Sequence, residues 1–65
     1  MKPINIAVKV VKERHKKGLS VRGLAKEAGV SHVAVKNIEE GMMPNLRTLI
    51  AVAKALGKSP AWFLQ

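Results

Sequence analysis

The chain has 65 residues, with 12 Lys+Arg against 4 Asp+Glu, a formal net charge of +8 and a pI of about 10.5. That length predicts one domain over residues 1–65, and a domain this small buries only about 60% of its unfolded surface, so it depends on good packing or on a partner. The 48% hydrophobic content excludes a disordered basic tail, and the absence of cysteine excludes disulfides and thiolate metal sites.

Glycine, proline and Ser/Asn punctuate the chain at helix-sized intervals, and no segment alternates with period two. This predicts five helices and no strand. The first helix is expected from about Ile4 to Lys17. Ile4, Ala7, Val8 and Val11 recur on one face, continued by Arg14 and His15, while Lys9, Lys12 and Lys16 take the solvent side. Val10 falls outside this stripe and is expected to be partly exposed. Gly18 ends the helix, where a residue without Cβ adopts the left-handed conformation cheaply. The β-branched residues of the IAVKVVK segment also suit a strand, but no second strand is present to pair with it.

Ser20 caps a second helix over Val21–Ala28, with Leu24, Ala25 and Ala28 facing inward. Gly23 within it costs about 1 kcal/mol relative to alanine, with no compensating role legible in the sequence. Gly29 makes the turn. Ser31 caps the third helix, and Val30 and Val35 stand at the two positions of a hydrophobic staple. Val35 and Ile38 form the inner face, and His32, Val33, Lys36 and Asn37 project the other way. Gly41 stops this helix, which completes a helix-turn-helix over about residues 20–41. Met42, Met43 and Pro44 connect to a fourth helix capped by Asn45, with Leu46, Leu49, Ile50, Ala53 and Leu56 as its apolar stripe and Gly57 at its end. Ser59 and Pro60 start a short last helix that brings Trp62 and Phe63 against the bundle. The expected core is Val8, Val11, Leu24, Ala25, Val35, Ile38, Leu49, Ala53, Leu56 and Trp62.

The run Leu24-Ala25, Ala28-Gly29-Val30-Ser31, Val35, Ile38-Glu39, Gly41, then Pro44, Leu49, Ala53, Ala55-Leu56-Gly57 and Trp62 resembles the phage repressor and Cro-type, or XRE-type, helix-turn-helix family. The likeness reaches from the first helix to the C-terminus. It implies an all-α, compact five-helix bundle of the lambda-repressor-like type that binds operator DNA, commonly as a homodimer on a two-fold site. Arg14 and Glu39 stand where this family often places a buried ion pair joining helices 1 and 3; otherwise they are two unrelated surface charges. The chain departs from the pattern at Val21 and Arg22, where the family often has glutamine, and at Gly23, where it often has glutamate. Helix 3 lacks the paired glutamines with which some members read adenine, so site preference does not transfer.

A recognition helix carries small or polar residues near its start, because that end enters the major groove first. His32, Val33, Lys36 and Asn37 are the base-reading candidates. Asparagine pairs with adenine N6/N7, lysine donates to guanine O6/N7 and valine touches a thymine methyl. The competing reading is an ordinary solvated helix face. Helix N-termini bind anions through free amides. This nominates Ser20, Val21 and Arg22 before helix 2, Ser31 before helix 3, and Asn45 with Arg47 before helix 4 as phosphate contacts. Plain capping is the alternative for the serines and Asn45.

The cationic excess makes polyanions the expected partners, duplex DNA first and an anionic membrane surface second. Trp62 and Phe63 are the only aromatic residues, too few for a single-strand stacking platform. No apolar run is long enough to span a bilayer, and lysines interrupt the only candidate signal core. Two histidines without neighbouring ligands predict no metal, and no cofactor or small-molecule ligand is expected. The chain carries no acid pair, nucleophile–base set or phosphate-cradling loop, so it is not expected to be an enzyme. The expected function is a transcriptional regulator, a repressor first, that reads an operator through helix 3. It would act in the cytoplasm, at the nucleoid when bound to DNA. The alternative is an antitoxin or other protein-interaction module on the same fold.

Overall fold

Local signals set the helix boundaries. In the computed structural model, which describes residues 5–65, the helices are α1 (Ile6–Lys16), α2 (Val21–Ala28), α3 (His32–Glu39), α4 (Leu46–Ala55) and α5 (Pro60–Phe63). No strand occurs among the described residues. Each helix starts at a side-chain cap. Asn5, Ser20, Ser31, Asn45 and Ser59 accept from the amides of Val8, Gly23, Ala34, Thr48 and Trp62. Each such bond satisfies one of the otherwise unpaired first amides, typically worth about 1 kcal/mol.

The turn of the helix-turn-helix closes by backbone geometry. Gly29 sits at φ 73°, and the Val30 amide donates to the Ala25 carbonyl at 3.0 Å. A Cβ there would meet no neighbour within 4 Å, so the need for glycine is conformational, not steric.

The two helices flanking that turn pack mainly on each other. α1 lies against α3 and α5, and α4 against α2 and α5. One core results: Ile6, Val10, Leu24, Ala25, Val35, Ile38, Leu49, Val52, Ala53, Leu56 and Phe63. It gives a particle of 34 × 21 × 19 Å.

Several expectations about packing are corrected. Val8 and Val11 are not core residues. Val8 is 45% exposed and Val11 half-buried, whereas Val10, expected at the surface, is fully buried. His15, placed inward, is exposed, and Lys9, placed in solvent, is half-buried. Ile4 lies outside the described residues. Two polar anchors account for the rotation of α1. On one flank Arg14 reaches Glu39 of α3. On the other, Lys9 donates to the carbonyls of Trp62 at 2.9 Å and Gln65 at 2.7 Å. At 3.6 residues per turn, the arc between these flanks holds Ile6, Val10 and Glu13, and those are the buried residues of α1. In α4, Leu46 and Ile50 are exposed and Val52 takes the buried place.

Among the aromatics, Phe63 is the fully buried ring. Trp62 is half-buried at the edge of the core, meeting Phe63 edge-on with centroids 4.9 Å apart. Its indole lies between two ammonium groups, Lys9 at 5.1 Å and Lys58 at 4.9 Å from the ring centroid.

Gly23 also receives an account. A Cβ at that position would stand 3.2 Å from the Ser20 hydroxyl and 3.5 Å from Leu19 Cδ2. The bare glycine lets the cap approach its amide at 2.9 Å without displacement.

Candidate nucleic-acid interface

α3 buries Val35 and Ile38 and turns its other side outward. His32, Val33 and Lys36 are exposed on that side, Val33 to 51%. Asn37 is half-buried at the margin of the same arc. Glu40, the C-cap of α3, is exposed one turn beyond Lys36. Glu40 is not among the base-reading candidates of the sequence, which end at Asn37. A carboxylate on this arc accepts from cytosine N4, which no other side chain of the arc does as well.

Asn37 does not stand alone. With Asn45 and Thr48 from the start of α4 and with Met42, Met43 and Pro44 from the connecting loop, it lines a cleft of about 170 Å³. One base-reading candidate and one phosphate candidate therefore share a concavity. Met42 and Met43, expected only as part of the connection to α4, are 59% and 67% exposed at its rim and well placed for apolar contact. Ser20, Val21 and Arg22 are not among the lining residues and belong to the start of α2.

The phosphate candidates differ in what they still offer. The oxygens of Ser20, Ser31 and Asn45 are occupied as caps. Their remaining donors, the serine O–H and the asparagine NH₂, stay available to an anion. Arg22 and Arg47 are exposed, and Val21 is half-buried against the core, so Val21 offers only its amide. The first amides of α2, α3 and α4 have no intrahelical acceptor, and the helix dipole adds partial positive charge there. No acidic residue occupies the first turn of any of these helices to compete with an anion.

α3 is tied to α1 by an ion pair. Arg14 clasps Glu39 through Nε to Oε2 at 2.6 Å and Nη2 to Oε1 at 3.0 Å, and its Nη1 donates to the Leu19 carbonyl at 2.9 Å. Both side chains are 12% exposed. One guanidinium thus ties α1, α3 and the α1–α2 turn together. The hydrogen bonding of Arg14 to the Glu39 carboxylate raises the Arg14 pKa above its ordinary value against the opposing effect of burial, so the fork stays charged throughout the range around neutrality.

A family model described as helix-turn-helix matches residues 11–63. The chain belongs to the XRE-type helix-turn-helix family. Comparison with curated proteins and with solved structures gives no match. Membership carries the coarse function: this is a DNA-binding helix-turn-helix regulator whose partner is duplex DNA. Among the described residues no helix is long and apolar enough to cross a membrane, and no group of His, Cys, Asp or Glu is arranged to hold a metal.

Proposed function

We propose that this helix-turn-helix domain is a sequence-specific transcriptional regulator, acting as a repressor, that inserts α3 into the major groove of an operator as a homodimer. It works in the cytoplasm, at the nucleoid. The observation that carries the reading is the outward arc of α3, with His32, Val33 and Lys36 exposed and Asn37 half-buried in the cleft that it lines with Asn45. Lys36 and Asn37 read bases, Val33 meets a thymine methyl, and His32 donates to a guanine or a phosphate. Ser20, Val21, Arg22, Ser31, Asn45 and Arg47 hold phosphates through amides and side-chain donors, which fixes register without reading sequence.

The test separates specificity from affinity, because a chain of net charge +8 binds any duplex weakly. Selection from random duplexes should enrich a site with two half-sites about 10 bp apart, the spacing of successive major grooves on one face. Lys36→Ala and Asn37→Ala should each cost about 1–3 kcal/mol of discrimination at single base pairs. Arg47→Ala should weaken binding to all duplexes equally and lower the salt slope by about 1. If no site is enriched and both α3 changes leave binding untouched, α3 is not a reading head and a protein-docking role takes the lead.

A further inference from the structure

Among the described residues, the packing of α1 leaves an apolar face without a partner. Ala7, Val8 and Val11, the residues that helical spacing would have sent inward, instead line an open groove of about 300 Å³ together with Lys12 and Glu39. Val8 is 45% exposed there. The surface is almost wholly apolar: the Glu39 oxygens are both engaged by Arg14. Ala7 and Val8 lie before the segment that the family model matches, and Val11, Lys12 and Glu39 lie within it.

We propose that this groove docks an acidic amphipathic segment of a protein partner, so that the domain holds DNA through α3 and a second protein through α1. The floor fixes the first half of that chemistry. A bed of small aliphatic side chains gains from covering by another apolar surface and offers a phosphate nothing for the hydration it would lose, which removes the DNA backbone as occupant. The rim fixes the second half. Lys12 borders the groove, and His15, four residues beyond Val11, is exposed on the same side of the helix. Glu39, the carboxylate that lines the groove, is already matched by Arg14, and among the described residues Lys12 has no ion-pair partner. A second copy of this chain fits poorly. It would set the α1 lysines against each other, and one face of an 11-residue helix supplies far less than the roughly 800 Å² per partner of a stable interface. An acidic helix with one apolar stripe satisfies both floor and rim.

The probe is a synthetic helix of about 15 residues, with leucines at helical spacing on one face and glutamates elsewhere, stapled to hold its conformation. Its control is a scramble of the same composition with the helical period destroyed. Titrated into isotope-labelled domain, the amphipathic peptide should give saturable amide NMR shifts centred on Ala7 to Lys12, and the scramble should bind at least about tenfold more weakly. Val8→Ser removes apolar contact without changing charge. It should weaken the peptide by about three- to tenfold while leaving the thermal midpoint and duplex binding unchanged. Val8→Leu should retain or tighten binding. Equal affinity for the scramble would reduce the effect to net charge and overturn the proposal. So would shifts centred on α3 or spread over all the lysines, or a Val8→Ser variant that binds as tightly as the parent. Concentration-dependent shifts on α1 without peptide, lost in Val8→Ser, would assign the face to a second copy instead and equally overturn it.

Discussion

The α2–α3 unit and α1 draw on the same residue types, chiefly valine, alanine and lysine, yet they obey different rules. In α2–α3 every boundary and every inward residue follows from short-range signals: a serine cap, a glycine turn, a staple valine. In α1 the helix itself follows from sequence, but the face it buries does not. Its apolar stripe ran through Ala7, Val8 and Val11, and the structure buries Ile6, Val10 and Glu13 instead. Two polar anchors at its flanks, Arg14 on Glu39 and Lys9 on the end of α5, outweigh the hydrophobic count. A helix held by a partner three residues away is legible locally; a helix held by contacts 25 and 53 residues away is not.

The comparison can be broken at its far end first. Phe63→Ala should cost about 3–5 kcal/mol in denaturant unfolding, as loss of a fully buried ring does. Trp62→Ala should cost less, because part of the indole stays in water and each lysine contact adds only about 0.5–1 kcal/mol. The reverse order would restore Trp62 as the core aromatic.

Next comes the anchor that sets the phase of α1. Arg14→Met and Glu39→Leu should each destabilise by about 3 kcal/mol, since either alone strands a largely buried charge, whereas the double replacement should cost less than either single one. Additive losses in the same unfolding series would mean that the two groups do not meet in solution.

Within α1 the contrast sharpens to two neighbouring valines. Val10→Ala should lose about 2 kcal/mol, from two buried methyl-sized groups and the cavity left behind, and Val8→Ala less than about 0.5 kcal/mol. Equal effects would mean that α1 is not rotated as described. The smallest effect belongs to the α2 start. Gly23→Ala should gain less than the full ~1 kcal/mol of helix propensity, because the new Cβ crowds the Ser20 cap. A full gain in thermal stability would show that the hydroxyl yields freely.

The candidate site was legible in uneven measure. His32, Val33 and Lys36 were found because helical spacing places them opposite Val35 and Ile38, and the neighbours of a short, well-capped helix leave little choice of face. Glu40 and the exposed Met42 and Met43 were not found. Glu40 stands on the outer arc as the C-cap of α3, and the two methionines matter through the cleft they line with Asn37 and Asn45, which joins the end of one helix to the start of the next through a loop of no regular pattern.

The sequence by itself determined the starts of α2 to α5, the turn at Gly29, the inward residues of α2 and α3 and membership of the XRE-type family. All of these rest on interactions within four or five residues or on motifs spaced by one such unit. Only the tertiary structure decided which face α1 buries, that Val52 and not Ile50 enters the core, that Phe63 and not Trp62 fills its end, and that Lys9 works as a clamp. Those choices depend on which surfaces meet across the bundle. A helix with apolar residues on more than one side offers several near-equal faces, and the directional hydrogen bonds of a few charged side chains select among them.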